Sequence, residues 1–108
     1  MAVSTIKSER RFGTVLNTTS TNGTYNLLMS IHDATELIFQ LTIGNVVRCS
    51  TVLTKAQFIT NGAFPDFTLG SQRAYCDIQY VSDNSIRISN VTGYSSLGAN
   101  AGIRIIAK

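Results

Sequence analysis

Apolar and polar residues alternate along most of this chain with a period of two. In the stretch 25–31, Tyr25, Leu27, Met29 and Ile31 share one side. In 36–43, Leu37, Phe39, Leu41 and Ile43 oppose Glu36, Gln40 and Thr42, with Ile38 the single apolar exception. In 46–53, Val47, Cys49, Thr51 and Leu53 fall together, and in 73–81, Ala74, Cys76, Ile78 and Tyr80 oppose Arg73, Tyr75, Asp77 and Gln79. Ile86 and Ile88 flank Arg87, and Ile103 and Ile105 flank Arg104, in the same manner. Successive side chains of a strand point to opposite faces, so this pattern predicts half-buried antiparallel strands.

The breaks between these stretches agree with that reading. Gly44-Asn45 sits between two apolar runs and predicts a tight hairpin, and Ser82-Asp83-Asn84 predicts a slightly longer one. Asn17–Thr24 reads as a polar loop with nothing to bury, and Asn61–Asp66, around the only proline, as a break in regular structure. Asp33-Ala-Thr-Glu36 and Thr54-Lys-Ala-Gln57 both fit a helix capping box. The alternation after Asp33 favours a strand, whereas one or two helical turns fit between Thr54 and Asn61. Seven to nine short strands in 108 residues predict one all-β domain spanning 1–108, an antiparallel β-sandwich or jelly roll.

Composition narrows the function classes. Charged residues make up only 14% of the chain, well below the share of an average domain. Ser, Thr and Asn keep its surface polar instead. The net charge of +3 comes from scattered cations; the only cluster is Lys7, Arg10 and Arg11, with Glu9 among them. Nucleic-acid binders concentrate their cations in a patch, so a nucleic-acid partner is not expected. No apolar run approaches the ~20 residues of a membrane helix, and the N-terminal stretch lacks the apolar core of a secretory signal. Cys49 and Cys76 match no zinc spacing and read as buried free thiols on inward faces.

Candidate chemistry is sparse. His32 is the only histidine, and beside Asp33 it reads as a solvated turn residue. Gly93–Gly98 resembles a nucleophile elbow around Ser95 and Ser96, but its glycines stand one residue too far apart. Phosphate-cradling and dinucleotide signatures do not occur, and no spacing of the six acids recommends a carboxylate pair or a metal site. No catalytic residue, metal or cofactor is therefore assigned. Sequons at Asn17, Asn22 and Asn90 are no more than this composition supplies by chance. Exposed aromatics are more informative. Tyr75 falls on the polar face of its strand, and Tyr94 and Phe64 fall in loops, with Asp66 close to Phe64. Such residues offer a flat apolar face beside hydrogen-bonding groups, which suits a sugar or protein contact. Phe64 and Phe67 folding back over the core is the alternative.

The C-terminal stretch from Asn90 to Lys108 runs through a small-residue loop into Gly102-Ile-Arg-Ile105. It resembles the ends of bacteriophage tail-fibre and receptor-binding proteins. That resemblance implies a virion component: a non-enzymatic, trimeric β-sandwich head that engages a bacterial-surface glycan or protein, or a small assembly part. A small β-barrel enzyme using His32 and Asp33, or a nucleic-acid-binding barrel, is the competing reading. Ile38, Val46, Val52, Val81 and Ile106 put apolar side chains on faces that should be wet. This surplus predicts a homo-oligomer with Ile38 or Ile106 at its interface, and the resemblance favours three subunits.

Overall fold

The computed structural model describes residues 13–19, 21–44, 46–94 and 101–108. Among them eight strands occur in chain order: β1 (Thr14–Thr19), β2 (Gly23–Asn26), β3 (Glu36–Ile43), β4 (Val46–Thr54), β5 (Asp66–Leu69), β6 (Gln72–Ser82), β7 (Ser85–Thr92) and β8 (Ala101–Ala107). One helix, α1 (Lys55–Asn61), separates β4 from β5. The strands form two antiparallel four-stranded sheets, ordered β1-β8-β3-β4 and β2-β7-β6-β5. The predicted all-β sandwich is what the chain forms. Lys7, Arg10, Arg11, Asn45, Ser95 and Ser96 lie outside the described residues.

The core is built from the inward side of the predicted alternation. Leu37, Phe39, Leu41, Ile103 and Ile105 of the first sheet meet Ala74, Cys76, Ile78, Ile86 and Ile88 of the second in one buried cluster. Burying each large aliphatic side chain contributes roughly 1.5–3 kcal/mol, which makes this face-to-face contact the main stabilising element. Phe58 from α1 closes one end, with its ring centroid 4.9 Å from that of Phe39.

Local chemistry sets the ends of the elements. Thr54 caps α1 by accepting from the Gln57 N–H, while the Gln57 side chain accepts from the Thr54 N–H, so the capping box forms where expected. Gly44 takes a positive φ between β3 and β4, as a tight hairpin requires. The β6–β7 hairpin is tighter than expected, because Ser82 pairs with Ser85 across only Asp83 and Asn84.

Three stretches depart from the alternation. β2 ends at Asn26, and beyond it the Leu27 and Leu28 N–H groups donate to the carbonyls of Asn84 and Val15. The chain crosses there from one sheet to the other, leaving Leu28 74% exposed while Ile31 stays buried. Part of Asn17–Thr24, expected to be loop, is strand: β1 pairs with β8 through its backbone, and its polar side chains sit on an edge strand. In β4 the register slips between Cys49, opposite Leu41, and Val47, opposite Thr42. This bulge at Arg48 removes Val47 from the inward row, and Val47 is exposed.

Candidate binding face on the second sheet

β6 is the longest strand, and its outward residues are Arg73, Tyr75, Asp77 and Gln79. β5 lies beside it with Asp66 opposite Tyr75. Upstream of β5, Ala63 exchanges both backbone hydrogen bonds with Ile78 at 2.8 Å, which extends the sheet edge past its nominal end. Ala63 is buried, so the next side chain turns outward. Phe64 is 58% exposed, whereas Phe67 packs partly against the core. The folding-back alternative therefore holds for Phe67 and not for Phe64.

Three of the four residues singled out from sequence thus share one face. The Arg73 Nε donates to Asp66 Oδ1 at 3.0 Å, and a second guanidinium N–H reaches Oδ2, giving a two-pronged pair across the strands. The Arg73 guanidinium hydrogen bonds hold the Asp66 carboxyl below its ordinary range. The same guanidinium lies 4.6 Å from the centre of the Tyr75 ring, a cation–π contact that fixes the tyrosine. Farther along, Asn90 Nδ2 donates to Asp77 Oδ2 at 2.6 Å. Asn90 takes a positive φ where β7 carries an extra residue relative to β6, and asparagine tolerates that conformation well. The face combines an open phenyl ring, an oriented tyrosine and ordered carboxylate, guanidinium and amide groups.

Tyr94 does not belong to this face. It is 3% exposed and its hydroxyl donates to Cys76 Sγ at 3.4 Å inside the sandwich, so its ring is out of reach of a surface ligand. Ala74 and Cys76 are small inward residues, and the space they leave receives the Tyr94 ring. Gly93 makes this entry possible. Its φ is positive, and a Cβ there would overlap the Arg73 carbonyl oxygen, so only glycine is accommodated. Cys76 is buried as expected, and burial pushes its thiol up to about 11 despite the Tyr94 hydrogen bond. Cys49 departs from expectation. It is only half-buried on the edge strand β4, and its thiol donates to the Asp66 carbonyl at 3.4 Å.

His32 finds a different acid from the one adjacent in sequence. Its Nδ1 lies 3.1 Å from Asp83 Oδ2, and Asp83 Oδ1 also receives the Tyr80 hydroxyl at 2.8 Å and Lys55 Nζ at 3.3 Å. Lys55 additionally donates to the His32 carbonyl at 2.7 Å. These bonds tie the β2–β3 crossover, the start of α1 and the β6–β7 turn together at one end of the sandwich. The Tyr80 hydroxyl, with His32 and Lys55, draws the Asp83 carboxyl below its usual range. Among the described residues, no group of three or more His, Cys, Asp and Glu side chains gathers as a metal site, and no helix is long and apolar enough to cross a membrane.

The sequence pattern placed Tyr75 on an outward face and left Asp66 in a break beside Phe64, with no sign of their link through Arg73, which arises from a cross-strand diagonal. Compared with protein-family models, curated proteins and solved structures, the chain matches none of them.

Proposed function

We propose that this domain is a non-enzymatic binding module whose β6 face engages a bacterial-surface glycan, as part of a virion. The observation that carries the reading is Phe64, an aromatic ring 58% exposed on the same face as the interlocked Asp66, Arg73 and Tyr75. Exposed aromatic rings offer the apolar faces of sugars a stacking surface, and groups already held by neighbours lose little freedom on binding. The resemblance of the C-terminal stretch to phage fibre heads supports the virion setting. Screening the purified domain against immobilised bacterial surface polysaccharides and surface proteins tests the proposal. Saturable glycan binding, lost on Phe64→Ala, is the expected result. Capture by surface proteins alone would replace the glycan with a protein receptor.

Assembly forms part of the same proposal, on an observation from the opposite face. Val52, Ile38 and Ile106 line up across β4, β3 and β8 as directly opposed neighbours on the outside of the first sheet. Val52 is 54% exposed, and Ile38 and Ile106 are half-buried. Sheets that face water usually guard such rows with charge. Covering this row with further copies of the chain, three being favoured, would need an interface of at least about 1,000 Å². Light scattering on the wild type and on Val52→Glu is the check: an oligomer that the substitution dissociates supports assembly, and a monomeric wild type removes it.

A further inference from the structure

A cleft of about 250 Å³ opens between the end of α1 and β6, lined by Phe58 and Ile59 as well as Thr60, Asn61, Gly62, Gln79 and Tyr80. It adjoins the binding face through Gly62. A Cβ built on that glycine would lie 3.7 Å from Phe64 Cζ, 3.9 Å from Gln79 Cγ and 3.0 Å from the Ile78 carbonyl oxygen. Its φ is positive as well, which favours glycine, so the cleft floor stays bare. At ~30 Å³ each, about eight waters would fill this volume. It falls just under the ~300–1,000 Å³ of pockets for drug-sized ligands. One six-membered sugar ring fits such a space.

The lining also selects by charge. Its polar side chains are hydroxyls and amides, with no carboxylate, ammonium or guanidinium among them. Asn61 and Gln79 each carry both donors and an acceptor, the combination that pairs with neighbouring hydroxyls. The Tyr80 hydroxyl is already committed to Asp83, so it acts as wall and not as partner.

We infer that this cleft is a subsite for one neutral pyranose unit, held by the side-chain amides of Asn61 and Gln79 next to the Phe64 face. The inference rests on the glycan reading and adds to it the size, charge and seat of the recognised unit. The test is a titration of isotope-labelled full chain with glucose, galactose, mannose and N-acetylglucosamine, followed by amide NMR. At least one sugar should shift residues 60–62 and 79. Asn61→Ala and Gln79→Ala should each weaken polysaccharide binding by at least about tenfold, with melting temperatures showing that the exposed substitutions leave the fold intact. Polysaccharide binding that survives both substitutions but is lost on Phe64→Ala or Tyr75→Ala would overturn the subsite while leaving the β6 face as the binding site. A sialylated or uronic-acid sugar preferred over every neutral one would overturn the charge assignment. Absence of glycan binding by the wild type would remove both.

Discussion

At the scale of single residues, packing constraints are sharpest at Gly93 and Cys76. Any side chain at Gly93 collides with the β6 backbone in a conformation that already disfavours L-residues. Gly93→Ala should therefore cost at least about 3 kcal/mol, measured by denaturant unfolding, and a loss below about 1 kcal/mol would mean that the chain around Tyr94 shifts freely. Cys76 makes stability depend on alkaline pH. Its thiol is raised to about 11 from an ordinary value of 9.0, so between those values the folded chain keeps a proton that the unfolded chain releases. Stability is then fully present below the ordinary thiol value and falls as pH rises through the folded one, by an amount on the order of 2 kcal/mol. Comparing unfolding of wild type and Cys76→Ala across that range tests this, and equal slopes would contradict it. Near neutral pH a thiol reagent should label Cys49 well before Cys76.

Gln40 shows how one residue escapes the pattern. The alternation places it outward, and it is outward, yet on the central strand β3 its neighbours half-bury it. Its Oε1 is buried and finds no hydrogen-bond partner among the described residues. An unpaired buried acceptor costs about 1–3 kcal/mol. Gln40→Leu should thus leave stability unchanged or raise it, and a loss above about 1 kcal/mol in thermal unfolding would show that the amide has a partner.

Elements were legible in the sequence where a strand has one buried and one wet face. β6, β7 and β8 follow the alternation closely, because the sandwich interior is shared by both sheets. β3 does so up to Leu41; past the register shift there, Thr42 is buried and Ile43 half-buried. Two edge strands, β1 and β5, were not legible. β1 and β5 are held by backbone pairing with β8 and β6, and a backbone hydrogen bond leaves no mark on side-chain hydropathy. The crossover at 27–35 kept apolar residues that simulate a strand but serve two different surfaces. Of the candidate site, Phe64, Asp66 and Tyr75 were visible as residue types, but their convergence depends on the β5–β6 register. Tyr94 was misplaced because a loop position says nothing of whether a ring turns inward. α1 was readable from the Thr54–Gln57 capping box together with the non-alternating stretch that follows it before Asn61. Thr54→Ala should cost about 1 kcal/mol and should not change the β-sheet circular dichroism signal; a cost near zero would mean that the packing of Phe58 alone holds the helix.

At the scale of the whole molecule, the two outer faces have opposite characters. The β6 face carries aromatic rings among ordered polar groups, and the β3 face carries the row Val52, Ile38 and Ile106. On the proposed reading, the first face meets a ligand and the second a neighbouring copy. The end opposite Tyr94 is stitched by Asp83 to His32, Lys55 and Tyr80. The depressed Asp83 carboxyl contributes stability above the ordinary aspartate value of 3.8, and that contribution is lost as pH falls through its folded value. The measurement that tests the account most directly is the affinity for a captured polysaccharide of three proteins: wild type, Phe64→Ala and the opposite-face variant Ile38→Ala. Loss of at least about tenfold for Phe64→Ala, with Ile38→Ala within about twofold of wild type when both are compared as folded proteins in the same oligomeric state, is the predicted result. Equal affinity of Phe64→Ala and wild type, or a larger loss for Ile38→Ala, would contradict the assignment of the β6 face as the binding surface.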